Sequence, residues 1–344
     1  MNWKGKRVLV TGGASFIGSH LVDKLVELGA DIKIADNLSS GRLENLNGSR
    51  DKIEFFEGNL EESSFTQKAM EDVDTVFHLA AEHGGRGYID THPAECASNM
   101  LLDGMVFKTA FKSGVERICF ASSACVYPTF LQEEKETEGK TVYLREDMAD
   151  PFVPGKANAD LEYGWSKLMG EMALKAYHKE YGLKCASCRI FTAYGPRENE
   201  THAVIALIAK AFIEQEPYEI WGTGEQDRNF TYVNDIVDGL IHACERIEDG
   251  SAVNVGTSDH IKIKDIAEKI FDIVGWRPNE IFLDTSKPVG VFSRAADLTK
   301  TKKLLQWQPE CSIEEGLRKT ISWYYTTKNK EEIKKKFQKL IWER

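Results

Sequence analysis

Ser123, Tyr163 and Lys167 stand in the order and type of a hydroxyl-oxidising centre. A lysine cation favours the ionised tyrosine, and a serine hydroxyl holds the substrate hydroxyl. The tyrosinate takes that hydroxyl's proton as hydride leaves carbon. Cys125 lies two residues after Ser123, and plain hydride transfer has no need of it. A thiolate at that place can act as a base on carbon when positive charge is near. The competing reading is a small buried side chain at a strand end. His202, in Asn199-Glu200-Thr201-His202-Ala203, carries an imidazole, which can donate a proton near neutral pH, and it flanks a helix starting near Ala203. His83 reads as a loop residue beside cofactor or substrate rather than a base.

These groups need a scaffold and an electron acceptor. The strand predicted over Arg7–Thr11 runs into Gly12-Gly13-Ala14-Ser15-Phe16-Ile17-Gly18, then an amphipathic helix over Ile17–Leu28. Glycines there allow a tight turn and bring a pyrophosphate onto backbone N–H groups at the helix N-terminus. Asp36 ends the next strand, where a carboxylate accepts from ribose hydroxyls and repels a 2′-phosphate. NAD is therefore the expected cofactor.

The first half alternates short apolar runs with helical patterns, the rhythm of a parallel sheet. Strands are predicted over Arg7–Thr11, Asp31–Ala35, Ile53–Glu57, Thr75–Leu79, Arg117–Ala121 and Cys185–Ile190. The clearest helices between them are Ile17–Leu28, Ala94–Lys112 and Tyr163–Tyr181. Right-handed crossovers make this a doubly wound α/β sheet. Leu131–Asp160 is polar and reads as a long surface loop or lid. After Pro196 the pattern is mixed. Helices are predicted over Ala203–Glu214, Asn234–Arg246 and Ile263–Val274, with a helical pair beyond Thr299. Short strands fall near Glu219–Trp221, Asn229–Val233 and Ala252–Val255. Lys328–Arg344 is Lys-rich with Ile333, Phe337 and Ile341 at helical spacing, an amphipathic helix packed on the surface.

Bulk properties exclude some partners. A net charge of −10 over 344 residues is wrong for a phosphate backbone, so nucleic acid is not expected. The chain starts on charged residues and has no apolar run long enough for a bilayer. Seven scattered cysteines read as reduced thiols in a cytoplasmic protein. Cys185 and Cys188 form a C-x-x-C inside a strand, where that spacing sends the thiols to opposite faces, so no metal is expected.

More motifs fall along the chain: Asp36-Asn37-Leu38-Ser39-Ser40-Gly41-Arg42, His78-Leu79-Ala80-Ala81, Asn99, Tyr194-Gly195-Pro196-Arg197, Trp221-Gly222-Thr223-Gly224, Arg228-Asn229-Phe230, Asp235, and Arg294 with Asp297. With them the chain resembles the extended short-chain dehydrogenase/reductases, in particular their nucleotide-sugar epimerases and dehydratases, from about Lys6 to Trp307. The resemblance implies a Rossmann domain over residues 1–190, with part of 229–257 returning to it. Residues 191–344 then form mainly a smaller mixed α/β nucleotide-sugar-binding domain. It implies a homodimer paired through two helices. Cofactor contacts follow at Gly12, Ser15, Phe16, Ile17, Gly18, Asp36, Asn37, Asn59, Leu60, Leu79, Ala80, Ala81, Asn99, Tyr163 and Lys167. Substrate contacts follow at Gly85, Arg86, Thr192, His202, Trp221, Arg228 and Arg294, the last two gripping the diphosphate. Ser15, Asn59 and Thr192 depart from the residues usual there.

Such enzymes oxidise a sugar carbon, usually C4, and then diverge. Dehydratases carry Asp-Glu after the catalytic hydroxyl residue, whereas Ala124-Cys125 stands here. Ala121-Ser122-Ser123-Ala124-Cys125-Val126-Tyr127-Pro128 and Glu82-His83-Gly84-Gly85-Arg86-Gly87-Tyr88 look most like the GDP-mannose 3,5-epimerase branch, and also like GDP-fucose synthases. In those branches a cysteine matching Cys125 works with a cationic residue after Tyr-Gly-Pro, near where His202 falls. The expectation is an NAD-dependent nucleotide-sugar epimerase acting through a transient 4-keto sugar with C3/C5 inversion. Trp221 leans the base towards GDP over UDP. Two alternatives stay open. One is a UDP-sugar 4-epimerase of the UDP-glucose or UDP-glucuronate type, with Cys125 passive. The other is an epimerase/reductase like the fucose synthases, whose NADPH Asp36 argues against.

Overall fold

A computed structural model describes residues 1–133, 140–287 and 289–342, with side chains described through residue 337. Five strands open the chain: β1 (Arg7–Thr11), β2 (Asp31–Asp36), β3 (Ile53–Glu57), β4 (Thr75–His78) and β5 (Arg117–Ser123). A two-residue strand, β6 (Tyr143–Leu144), precedes β7 (Lys184–Ile190). β1–β5, β7 and the strand Asp249–Val255 form one seven-stranded sheet. From one edge it reads β3, β2, β1, β4, β5, β7, Asp249–Val255, and every pairing is parallel. The order reverses between β1 and β4, so a crevice opens at their carboxyl ends, where open α/β sheets bind ligands.

The sheet is buried on both faces. Val8 and Val10 of β1 face one way, into a core with Leu21 and Leu25 of the helix Phe16–Glu27 and Ile236 and Leu240 of the helix Val233–Arg246. Leu9 faces the other way, into a core with Val106 of the helix Pro93–Lys112 and Leu174 of the helix Leu161–Tyr181. Cys188 joins the first core and Cys185 the second, as period-two alternation requires across three residues. Cys185 donates to the Leu174 carbonyl, and the Cys188 sulfur lies 3.7 Å from that of Cys119.

A separate core holds the second lobe, built from Ile205, Ile208, Tyr218, Ile266, Phe271, Leu317 and Tyr324. The helices Ile313–Thr327 and Lys330–Trp342 complete it, whereas Leu305 of the helix Thr299–Leu305 is buried in the first core. The helix Lys330–Trp342 does more than cover the surface. Ile333 is buried, Phe337 packs on the lobe core, and Lys336 is paired with Glu200. The side chain of Ile341 lies outside the described residues.

Leu131–Asp160 departs from a surface loop. Gln132 is fully buried, β6 pairs with the strand Ser293–Ala296, and Glu146 accepts from the Asn254 amide at 2.9 Å. Residues 134–139 of that stretch lie outside the described residues. Polar composition hid these anchors, because each is a single side chain or a two-residue pairing. Among the described residues no helix is long and apolar enough to cross a membrane, and no cluster of His, Cys, Asp or Glu is fit for a metal ion.

Candidate active site

The β1 turn is shaped for a dinucleotide. Gly12 has φ +68°, and a Cβ on it would lie 2.9 Å from the Ala80 nitrogen. A Cβ on Gly18 would lie 2.1 Å from the Gly12 carbonyl oxygen. Gly18 therefore lets the helix dock on the turn. Ser15 has φ −79°, which needs no glycine, and its hydroxyl donates to the Gly12 carbonyl. That leaves the first N–H groups of Phe16–Glu27 without a side-chain cap, the condition for binding an anion there. Asp36 is 6% exposed and accepts from the Ala14 and Leu38 amides at 2.9 and 2.8 Å. Each carboxylate oxygen keeps a lone pair for a ribose hydroxyl.

A recess beside it is lined by Gly12, Asp36, Asn37, Asn59, Leu60 and Ala80. Ser15, Phe16, Ile17, Leu79 and Ala81 line the adjoining main cavity. The uncapped helix start, the glycine cradle and the buried ribose-side carboxylate fit NAD. Asn99, expected at the cofactor, is placed behind this wall. It is fully buried, and its amide group accepts from and donates to the Glu82 backbone at 2.7 and 2.9 Å. Its part is to fix the loop after β4.

Ser123, Cys125, Tyr163 and Lys167 share one cavity of about 1530 Å³ with Gly85, Arg86, Thr192, His202, Trp221, Arg228 and Arg294. Ser123 ends β5, and its hydroxyl accepts from the Cys125 amide at 3.1 Å. Tyr163 and Lys167 sit one helical turn apart on Leu161–Tyr181, so they share a face. Burial raises the Tyr163 phenol well above its ordinary range, and charge on Cys125 adds to that. A hydrogen bond from Ser123 works the other way. Lys167 is 1% exposed, and its ammonium lies 4.7 Å from the Phe120 ring centre and 5.9 Å from that of Tyr163. Burial lowers its pKa, and the Asp103 carboxylate partly offsets this.

The Cys125 turn is docked on the start of the tyrosine helix. The Asp160 amide donates to the Cys125 carbonyl at 2.8 Å, and a Cβ on Gly164 would fall 2.2 Å from that oxygen. Arg294, reaching over from the second lobe, donates from Nη1 to the Cys125 sulfur at 3.7 Å and from Nε to Gln132 Oε1 at 2.6 Å. Asp160 gathers the cations here. Arg86 Nη1 donates to both of its oxygens at 2.9 and 3.0 Å, and Arg294 Nη2 lies 3.7 Å away. The next residue, Leu161, takes φ +53°, a strained value for a side chain with a Cγ branch.

His202 lies across the cavity on the loop before Ala203–Phe212. Its Nδ1 is 3.0 Å from Glu198 Oε1, close enough to pair once the ring is protonated. Its ring stacks on His83 at 6.3 Å. A Cβ on Gly85 would lie 2.3 Å from the Thr201 carbonyl oxygen, so the two loops meet only because Gly85 has none. Burial tends to lower the His202 pKa, but Glu198 and the Gly84 carbonyl outweigh it and the net shift is upward. Burial and the His202 charge push His83 down to about 4.

Arg228 departs from its expected role. Its terminal nitrogens donate to the carbonyls of Asp227, Val289, Val291 and Phe292. Burial, then Arg294, lower its pKa to about 9. It braces the segment beside the cavity, with both terminal nitrogens committed to backbone. Arg294 Nη2, by contrast, is buried without a hydrogen-bond partner. Sequence reasoning passed over Asp160, Glu198 and Gln132. Only Asp160 left a signal, an acidic N-cap directly before the Tyr-Gly-Trp-Ser-Lys helix.

The profile of the NAD dependent epimerase/dehydratase family matches residues 8–256. GDP-mannose 3,5-epimerase 1 of Oryza sativa subsp. indica is 32% identical over 337 residues, 96% of this chain and 83% of its own. The UDP-glucose 4-epimerase of Mycolicibacterium smegmatis is 29% identical over 323 residues, 92% of this chain and 98% of its own. The crystal structure of the Thermotoga maritima UDP-glucose 4-epimerase with UDP-glucose is similar with a TM-score of 0.82. It is 28% identical and covers 93% of this chain and 99% of that one.

Proposed function

We propose that this chain, which belongs to the NAD dependent epimerase/dehydratase family, is a nucleotide-sugar epimerase that inverts C3 and/or C5 beside a transient 4-keto group. Bound NAD supplies the acceptor that takes a hydride from the sugar and gives it back. The chain's own residues do the rest. Ser123 holds the hydroxyl being oxidised, and Tyr163 takes its proton, with Lys167 beside it. A ketone at C4 acidifies the C–H bonds at C3 and C5. The Cys125 sulfur removes such a proton from one face, and His202 delivers a proton to the other, which inverts the carbon.

The observation that supports this reading best is the environment of the cysteine. Cys125 stands in the same cavity as Ser123 and Tyr163, and a guanidinium donates to its sulfur at 3.7 Å. A passive core thiol has no use for a cation. Arg294 then serves both lobes of the site, because its Nη2, which lies 3.7 Å from Asp160 but makes no hydrogen bond, suits a substrate phosphate oxygen. Trp221 in the cavity wall supports a GDP-sugar as the substrate.

The second reading, a UDP-sugar 4-epimerase, draws on the Thermotoga structure bound to UDP-glucose. Parallel turnover of GDP-mannose and UDP-glucose, with mass spectrometry of any nucleotide released on denaturation, separates the two. The first reading expects new GDP-hexose epimers that need Cys125. Conversion of UDP-glucose to UDP-galactose by wild type and C125S alike overturns it.

A homodimer is part of the proposal. Leu101 on Pro93–Lys112, 73% exposed, and Trp165 and Met169 on Leu161–Tyr181 are large apolar side chains open to solvent on two helices that pack together. A two-helix pairing between copies covers them.

A further inference from the structure

Two loops bring imidazole rings face to face at the site. His83 follows β4, His202 precedes Ala203–Phe212, and their planes are within 11° of parallel. Two imidazolium rings so close repel, so the pair favours one extra proton, and one positive charge, over two. Glu198 lies against His202. It is 4% exposed, with Oε1 3.0 Å from the imidazole and Oε2 without a hydrogen-bond partner. A carboxylate buried in this way needs a cation beside it, and removing that partner is costly.

We propose that Glu198 is a positioning residue that keeps the proton of the histidine pair on His202 and off His83. The proposal rests on the reading of His202 as the proton donor to the sugar. Glu198 and the Gly84 carbonyl both favour the charged His202 ring. His83 meets the opposite field, from burial, His202 and Lys167. Glu200, two residues away, is buried but engaged by Lys336 and the Tyr324 hydroxyl, so its charge is met on the far side of the pair. In the catalytic step the His202 proton passes to the ring carbon while the Cys125 sulfur takes the proton leaving the other face. Solvent then takes the proton from the Cys125 sulfur and recharges His202, which restores the cation beside Glu198.

The test is a proton NMR titration of the histidine ring resonances in the NAD-bound enzyme, run beside the pH profile of solvent exchange into substrate. Wild type, E198Q, E198D and H83N are compared. In wild type His202 should titrate above His83. In E198Q its midpoint should fall by about one pH unit or more, a tenfold change in proton affinity. The basic limb of the exchange profile should move down with it, KM at acid pH should hold, and E198D should recover part of the shift. H83N should leave the His202 midpoint high. An unmoved His202 midpoint in E198Q, a proton held by His83 in wild type, or a His202 midpoint that falls in H83N overturns the proposal. If E198Q does not fold, the wild-type and H83N arms still decide. If H202N keeps full exchange while E198Q shows the expected shift, the dyad stands and the reading of His202 as the donor fails.

Discussion

At the scale of single residues, burial and neighbouring charge decide how the histidines in and beside the cavity titrate. His83 is pushed to about 4 by burial, and His20 to about 4 by burial and then Arg197. Both fold as neutral rings, so the unfolded chain binds protons first. Stability should therefore fall as pH drops from about 6.5 towards 4. His202 runs the other way. Its raised value contributes stability below the unfolded pKa, and this is lost as pH rises through the folded one. Thermal unfolding between pH 7 and 4 should show a falling Tm, and H83Q should flatten the slope. A Tm steady across that window contradicts the burial argument. Arg228 teaches a different lesson about residue type. An arginine lining the cavity reads as a phosphate ligand, yet the terminal nitrogens of this one donate to four backbone carbonyls. Residue type names a capability, and only the neighbours decide its use.

At the scale of elements, the tyrosine helix and the cysteine turn are one unit. Gly164 lets the helix start lie on the Cys125 carbonyl, where a methyl group would fall at 2.2 Å. G164A should cost about 1–3 kcal/mol of stability and more activity than that loss explains, because the turn carrying Cys125 must shift. Urea unfolding and kcat report the two effects separately, and unchanged kcat would show that the turn is not held from the helix. Ser123, Tyr163 and Lys167 were legible because β5 and one helix place them by local periodicity. The sheet strands were legible for the same reason, as buried parallel runs between amphipathic helices. Asp160 and Glu198 were not, since their meaning comes from Arg86 and Arg294 and from His202 and His83, partners on other elements. Asn99 was read as a ligand contact because its type suits one, but the fold turns its amide onto the Glu82 backbone.

At the scale of the molecule, two lobes share the chemistry. The first supplies Ser123, Cys125, Tyr163 and Lys167, and the second supplies Arg294, which reaches back to the sulfur. All of these come from one chain, so pairing of copies should matter to stability more than to catalysis. L101K with W165E should shift the mass in solution from dimer to monomer and lower Tm, while leaving the site's residues in place. A wild-type protein that is monomeric at micromolar concentration contradicts the pairing. The central claim is that the sulfur of Cys125 exchanges protons with a ring carbon next to a short-lived ketone. The most direct measurement is turnover of the nucleotide sugar in heavy water, read by NMR of the recovered sugar. The account predicts deuterium at C3 or C5 in wild type. In C125S it predicts that deuterium entry falls by about 10²-fold or more, while the hydroxyl oxidation that needs only Ser123, Tyr163 and Lys167 persists. Epimer formed with no deuterium on the ring carbons, or C125S incorporating it at the wild-type rate, contradicts the account.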